Sequence, residues 1–148
     1  MTPFPHRYVA RAAGASTGDV RLDTPGVEAL ATNAPPEFGG PAGRWSPESL
    51  LAASVADCYV LSFRAAARGA RVAWTGLSVD VEGVLDRIEG VTRFTHFVVR
   101  PTLTLPAGAD EAAANAALER AERLCLISNS LSATTELQAR VLVADVTA

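Results

Sequence analysis

Two cysteines are the side chains of this 148-residue sequence best suited to chemistry. Cys58 and Cys125 lie 67 positions apart, and a cysteine thiolate acts both as a nucleophile and as a partner in disulfide exchange. Free cysteine is also among the most frequently buried residues, so simple packing explains both thiols equally well. All 13 basic residues are arginines. A P-loop lysine, a Schiff-base lysine and a lysine general base are therefore excluded, and only an arginine can supply the cation for a thiolate.

The composition predicts a single globular domain over residues 1–148. Hydrophobic residues make up 49% of the chain, which is too high a fraction for disorder. No apolar run approaches the roughly 18 residues of a membrane span, and Met1–Tyr8 lacks the apolar centre of a signal peptide. The formal charge of −3 argues against nucleic-acid binding, and the two histidines, His6 and His96, are too dispersed for a zinc site. We therefore expect a cytoplasmic protein without a metal, a nucleic-acid partner or a membrane partner.

The element that must position Cys58 is a helix with a clear start. Ser46 can cap it, Pro47 fits the first helical position, and Glu48 favours the positive end of the helix dipole. Apolar residues then continue on most sides of the helix as far as Gly69, a plausible left-handed stop. Such a helix is central and buried. Cys58 lies too far from the helix start to gain from the dipole, so an activating cation must come from another segment.

The remaining pattern predicts an α+β domain with antiparallel strand pairing. Pro101, inside a long strand, implies an edge position or a break in that strand. The other expected elements are strands at 6–13, 19–22, 72–85, 92–105 and 136–146, an irregular Pro/Gly-rich connection at 23–44, a helix at 111–125 capped by Asp110, and a turn or further helical turns at 126–132.

Two sequence motifs surround the cysteines. Residues 45–58 read WSPESLLAASVADC, and residues 125–130 read CLISNS. The first resembles the NPEELL-AA---C signature of the OsmC/Ohr superfamily, the osmotically inducible protein C and organic hydroperoxide resistance proteins. The second is similar to that family's cysteine followed by a small polar turn. The resemblance covers the chain from about residue 7.

The resemblance implies a thiol-dependent peroxidase that reduces organic hydroperoxides and perhaps hydrogen peroxide. Cys58 would be the peroxidatic cysteine, and Cys125 would resolve its sulfenic acid by forming an intramolecular disulfide. An external dithiol, typically a lipoyl protein, would reduce that disulfide, so no bound cofactor is implied. The implied fold is an intertwined homodimer with antiparallel sheets around a buried central helix and active sites at the subunit boundary.

Two further site residues follow from the resemblance. Glu48 matches the motif glutamate that helps to orient an activating arginine. Ten helical residues would separate Glu48 from Cys58 by about 15 Å, so Glu48 would act through an arginine or the partner subunit. The family's arginine positions fall in the turn 14–18, which has no arginine, and at Glu37. Arg44 is the best substitute, followed by Arg11, Arg21 and Arg7. Asp57 and Leu126 also depart from the family pattern.

Two alternative functions belong to other classes. The first is an OsmC-like dimer without peroxidase activity that binds small molecules or acyl groups and buries its cysteines. The second is a redox sensor in which the same disulfide alters contact with a partner. The sequence names neither the hydroperoxide nor the reductant.

Overall fold

The computed structural model describes residues 1–146, and these form seven strands, three α-helices and one 3-10 helix. The chain divides into two compact units, Met1–Leu50 and Leu51–Ala148; the single domain over 1–148 stays a prediction. In chain order the elements are β1 (Arg11–Ala13), β2 (Val20–Asp23), β3 (Leu30–Thr32), the 3-10 helix (Pro36–Phe38), α1 (Pro47–Ala70), β4 (Gly76–Ile88), β5 (Val91–Leu105), α2 (Glu111–Leu124), α3 (Leu126–Asn129), β6 (Thr134–Leu137) and β7 (Arg140–Val143).

The first unit contains a three-stranded antiparallel sheet in the order β1-β2-β3. The first two strands were expected from the sequence, although both bounds differ. The prediction of an irregular connection over 23–44 is wrong, because β3 and the 3-10 helix lie within it. Thr32 on β3 is buried and forms an isolated parallel bridge with Trp45. This bridge places the residues before α1 beside the sheet.

The predicted start of α1 is confirmed. The Ser46 hydroxyl accepts a hydrogen bond from the Ser49 amide at 3.1 Å, and the Ser49 hydroxyl accepts one from the Ser46 amide at 2.9 Å. This reciprocal pair satisfies two amides at the start of the helix. The predicted stop at Gly69 is wrong: the helix continues to Ala70, and Arg71 takes the left-handed conformation with φ 54°. The amide of Val72 then donates to the carbonyl of Ala67, which closes the helix end.

Helix α1 is long and apolar enough to cross a membrane by length and composition alone. The expectation that no segment approaches this limit is therefore wrong. Within the second unit, however, Val55, Tyr59 and Phe63 of α1 lie at the centre of the hydrophobic core. The predicted burial of this helix is confirmed for that face, whereas Leu61 on another face is 53% exposed.

The second unit is built on a four-stranded sheet. The strands β4 and β5 form a long antiparallel hairpin, and β6 and β7 both pair with β5 in parallel. The prediction of a single final strand at 136–146 is therefore wrong. The predicted antiparallel pairing is confirmed for β1–β2, β2–β3 and β4–β5, whereas β6 and β7 add parallel pairs that were not expected. Residues of β5 and α2, including Phe97, Leu103 and Leu118, complete the core with α1. The α+β class is confirmed.

Pro101 lies in the middle of the sheet, and β5 is unbroken around it. The carbonyls of Val99 and Leu105 accept hydrogen bonds from Gln138 and Ala144, so odd-numbered residues of this stretch face the β6–β7 side. Pro101 faces the same side, opposite the gap between β6 and β7. The missing amide of proline therefore costs no ladder hydrogen bond. The predicted edge position or break in this strand is therefore wrong, and the interruption lies between β6 and β7 instead.

Candidate redox site

Cys125 lies at the junction of α2 and α3 and is 1% exposed. It ends α2, and its extended backbone (φ −65°, ψ 98°) turns the chain into the short helix α3. The hydroxyl of Ser128, one turn further on, donates a hydrogen bond to Cys125 Sγ at 3.2 Å. The second predicted thiol is therefore buried, and the Ser128 hydroxyl is hydrogen-bonded to its sulfur.

Cys58 lies on α1 and keeps part of its side chain accessible to solvent. Its Sγ is 4.0 Å from the Ser62 hydroxyl, one turn further along the helix. Both cysteines are free thiols, and Cys58 lies close enough to Cys125 to raise the pKa of its thiol. The fold therefore brings together two thiols that are 67 positions apart in the sequence. Within Leu51–Val146, no arginine donates a hydrogen bond to Cys58 Sγ.

The environment of Cys125 favours the neutral thiol. Burial raises the pKa of Cys125 above its usual value, because a thiolate is poorly solvated in a dry site. Hydrogen bonds from the hydroxyl and the backbone amide of Ser128 act in the opposite direction, since they stabilise the thiolate. The proximity of Cys58 adds to the rise in pKa. Cys125 thus rests as a protonated thiol with thiolate-stabilising donors already in place.

Tyr59, next to Cys58, ties α1 to α2. Its buried hydroxyl donates a hydrogen bond of 2.7 Å to the Leu118 carbonyl. Burial raises the pKa of Tyr59 strongly, and the charges of Glu122 and Cys125 add to the effect. This buried bond fixes the helix that carries Cys58 relative to the helix that ends at Cys125.

Arg44, the predicted activating arginine, belongs to the first unit and is bound there by Asp19. Its Nε donates to Asp19 Oδ2 at 2.9 Å. Asp19 also accepts a hydrogen bond of 2.9 Å from Asn33, and the two donors, Asn33 first, lower the pKa of the Asp19 carboxyl. This network holds the loop before α1 against the start of β2. Arg21 is likewise paired, with Asp23 at 3.3 Å.

Glu48 lines an apolar cavity of about 580 Å³ in the first unit. Its Oε2 atom is buried and has no hydrogen-bond partner within the described residues 1–146. The cavity walls include Val20, Leu22, Phe38 and Leu50. A carboxylate oxygen in such surroundings is ready to accept a hydrogen bond from a cation or from a ligand hydroxyl.

The structure therefore brings Cys58 and Cys125 together and places Glu48 and Arg44 in the first unit, where they do not contact each other. The catalytic roles of all four residues stay predictions. Sequence reasoning missed Ser128 and Asp19. The three-residue spacing from Cys125 to Ser128 was visible and is typical of one helical turn, whereas the pairing of Asp19 with Arg44 joins segments 25 residues apart.

A family model described as OsmC-like protein matches residues 40–140 of the chain. The chain belongs to this family. The resemblance to the OsmC/Ohr superfamily is thereby confirmed, and both cysteines lie within the matched residues.

Three similar proteins each match nearly the whole chain. The uncharacterized protein YmaD of Bacillus subtilis (strain 168) is 26% identical over 136 residues, which are 90% of this chain and 91% of that protein. An OsmC-like protein of unknown function from Vibrio cholerae superposes with a TM-score of 0.79 at 18% identity, covering 90% of this chain and 100% of the other. An organic hydroperoxide resistance protein from Legionella pneumophila gives a TM-score of 0.74 at 25% identity, covering 95% and 100%.

Proposed function

We propose that this OsmC-like protein is a two-cysteine peroxidase that reduces organic hydroperoxides. Membership of the OsmC-like family supports a redox role, and two of the similar structures are organic hydroperoxide resistance proteins. The observation that carries the proposal is the direct proximity of the free thiols of Cys58 and Cys125, one accessible and one buried.

In the proposed first step, the Cys58 thiolate attacks the distal oxygen of the hydroperoxide. The O–O bond breaks, Cys58 becomes a sulfenic acid, and the alkoxide takes up a proton and leaves as an alcohol. Cys58 is assigned this role because it is the accessible thiol of the pair. In the second step, Cys125 attacks the Cys58 sulfur, hydroxide leaves as water, and a disulfide forms.

An external dithiol then restores both thiols and is itself oxidised to a disulfide. This step uses no bound cofactor. We assign the dithiol to a lipoyl protein or a small dithiol, and the steady-state rates with dihydrolipoamide, thioredoxin and glutathione distinguish these reductants. If the rate with glutathione, which is a monothiol, exceeds the rates with dihydrolipoamide and thioredoxin, the dithiol assignment is contradicted.

The two cysteine variants separate the steps. With cumene hydroperoxide and dihydrolipoamide, Cys58→Ser should lose turnover entirely. In the absence of a reductant, Cys125→Ser should still consume one equivalent of peroxide per chain and accumulate a sulfenic acid that dimedone traps. If Cys58→Ser consumes peroxide as fast as the wild type, the enzyme proposal fails. If peptide mapping of the peroxide-treated wild type finds no Cys58–Cys125 disulfide, the resolving role of Cys125 fails.

We assign the activating cation to Arg44 and its orientation to Glu48. The support is positional: Arg44 precedes α1, and Glu48 has an unpartnered buried oxygen at the start of that helix. Arg44→Ala should lower the rate of peroxide reduction by about tenfold or more. Arg100→Ala removes another exposed ion pair, between Arg100 and Glu82, and is the control. Equal rates for Arg44→Ala and the wild type would remove Arg44 from the site.

The cavity in the first unit favours a second candidate function. Its volume of about 580 Å³ and its apolar walls are within the usual range for small-molecule sites. In that case the protein would bind an apolar ligand without reducing peroxides. Two results together would favour this alternative: the wild type is inactive towards peroxides, and Cys58→Ser binds fatty acyl ligands as tightly as the wild type. Inactivity towards peroxides without such binding would favour the sensor role.

We also infer a soluble, cytoplasmic homodimer. Free thiols suit a reducing compartment, and Leu61 leaves an apolar surface on α1 that a second copy could cover. Sedimentation equilibrium should give roughly twice the monomer mass of 15.4 kDa. A monomer at all concentrations would contradict this assembly.

A further inference from the structure

The hydroxyl of Ser128 contacts Cys125 Sγ, one of the two sulfurs that react in the proposed cycle. Within Leu51–Val146, no other side-chain hydroxyl contacts this sulfur. Ser128 Oγ donates to Cys125 Sγ at 3.2 Å, and Cys125 itself is 1% exposed. Ser128 sits on α3, in the turn directly after Cys125, so its position is fixed by three intervening peptide units. It is therefore a preorganised donor aimed at a sulfur that water scarcely reaches.

Accessibility decides which sulfur of the disulfide an external reductant attacks. Exchange requires an in-line approach of a thiolate to one sulfur while the other sulfur leaves. Cys58 retains solvent access, whereas Cys125 does not. The reductant must therefore attack Cys58, and Cys125 must be the leaving group.

A buried leaving thiolate is unfavourable unless donors stabilise it. Burial raises the pKa of the Cys125 thiol, and thiols of higher pKa leave more slowly. A hydrogen bond from a hydroxyl to a neutral sulfur is weak, but it strengthens when charge develops on that sulfur. Such a bond contributes more in the transition state than in the disulfide, which is the condition for catalysis.

We infer that Ser128 is a catalytic residue of the disulfide-exchange half of the cycle, in which its hydroxyl stabilises the Cys125 thiolate expelled when a dithiol attacks Cys58. The reductant sulfur forms a bond to Cys58, the Cys58–Cys125 bond breaks, and its electron pair moves to Cys125, which then takes up the proton that the second thiol of the reductant loses. The second thiol of the reductant displaces Cys58 and leaves as a cyclic or protein disulfide. This inference rests on the proposed function for its physiological setting.

The experiment measures disulfide reduction separately from peroxide chemistry. Full-length protein is oxidised with diamide, which forms the disulfide without peroxide, and its reduction by dihydrolipoamide is followed by the appearance of thiols. Ser128→Ala should slow this reduction about tenfold, the loss expected for one hydrogen bond to a charged sulfur. Ser128→Thr keeps the hydroxyl and should restore most of the rate.

Ser130→Ala is the matched control. Ser130 lies two residues from Ser128, but its hydroxyl donates to the Leu126 carbonyl at 2.7 Å and not to sulfur. The disulfide of the Ser130→Ala variant should be reduced at the same rate as that of the wild type. Equal rates for Ser128→Ala and the wild type, or equal slowing by Ser130→Ala, would overturn the inference.

A second measurement needs no variant and covers the case in which Ser128→Ala fails to fold. The oxidised wild type is treated with glutathione and quenched with iodoacetamide, and the mixed disulfide is located by peptide mass. Glutathione should be found on Cys58, and an adduct on Cys125 would overturn the inference. If peroxide assays of the wild type are negative while reduction remains dependent on Ser128, the peroxidase proposal fails and the exchange role of Ser128 stands.

Discussion

The sulfur of Cys125 is enclosed by protein, whereas Cys58 keeps part of its side chain at the surface. In the proposed cycle, this difference in burial would give the two thiols different tasks without any difference in their intrinsic chemistry. An accessible thiol can meet a substrate and a reductant. A buried thiol held beside it is protected from other oxidants until the first has reacted.

Burial of Cys125 also makes the stability of the protein depend on pH. The pKa of Cys125 is raised above its usual value of 9.0 in the folded state. Above about pH 9 the unfolded chain loses this proton first and binds fewer protons than the folded chain, so the free energy of unfolding falls as pH rises. The contribution of the thiol is fully present below its unfolded pKa and is lost as pH passes the folded value.

We therefore expect Cys125→Ser to lose less stability than the wild type as the pH rises above about 9. Urea midpoints measured with a phosphine reductant across that range test this expectation. Tyr59, whose pKa is also raised by burial, adds a loss at the upper end that both proteins share. Ser130→Ala should follow the wild type, and parallel curves for Cys125→Ser and the wild type would contradict the expected linkage.

The cysteine pair could be predicted at the residue scale because its two motifs are local in sequence. The Asp19–Arg44 pair could not, because it depends on β2 meeting the loop before α1. The buried oxygen of Glu48 likewise depends on tertiary packing: the sequence predicted its place at the start of the helix, but not its place in a cavity wall.

At the scale of elements, local signals predicted the helices and the long hairpin well. Ser46, Pro47 and Asp110 mark helix starts through interactions with neighbouring residues. The strand β3 was missed because its three residues lie in a Pro/Gly-rich segment and are ordered by pairing with β2. The parallel pairing of β6 and β7 was also missed, because strand direction depends on how α2 and α3 return the chain to the sheet.

A bulge in the hairpin explains how two phenylalanines share one face. The register shifts between Val84 and Leu85, so Leu85 pairs with Phe94 while Val84 pairs with His96. Phe94 and Phe97 therefore stack, with ring centroids 5.1 Å apart, against the strand at Gly83. The absence of a side chain at Gly83 makes room for both rings.

Gly83→Ala should therefore destabilise the protein by about 1–3 kcal/mol. An added Cβ would lie 2.8 Å from Phe97 Cε1 and 2.9 Å from Phe94 Cε1, so the buried ring of Phe97 and the partly buried ring of Phe94 would have to move. Gly76→Ala on the same strand is the matched control, because its Cβ would meet nothing within 4 Å. Chemical denaturation of the two variants measures the difference. Similar midpoints for the two would show that the rings move without cost.

At the scale of the whole molecule, the two thiols are far apart along the chain. A bond between Cys58 and Cys125 would close a covalent loop that contains the β4–β5 hairpin and all of α2. Such a loop restricts the unfolded chain, and for about 67 residues the expected gain in unfolding free energy is about 4 kcal/mol. The diamide-oxidised wild type should therefore unfold at a higher temperature than the reduced protein in calorimetry.

Diamide-treated Cys125→Ser should show no such increase, because it cannot form the intramolecular bond. If the oxidised wild type melts at or below the melting temperature of the reduced protein, the bond distorts the packing of α1 against α2. The free-energy cost of that distortion then equals or exceeds the gain from loop closure.

Stabilisation by this bond would make the lifetime of the protein depend on its redox state. The reduced form, which waits for substrate, would open more often and be cleaved more readily by proteases. The oxidised form would resist cleavage until a reductant reopens the loop. Molecules that have just reacted with peroxide would thus be protected from proteolysis. Degradation of the protein in the cell would therefore slow when oxidant is present.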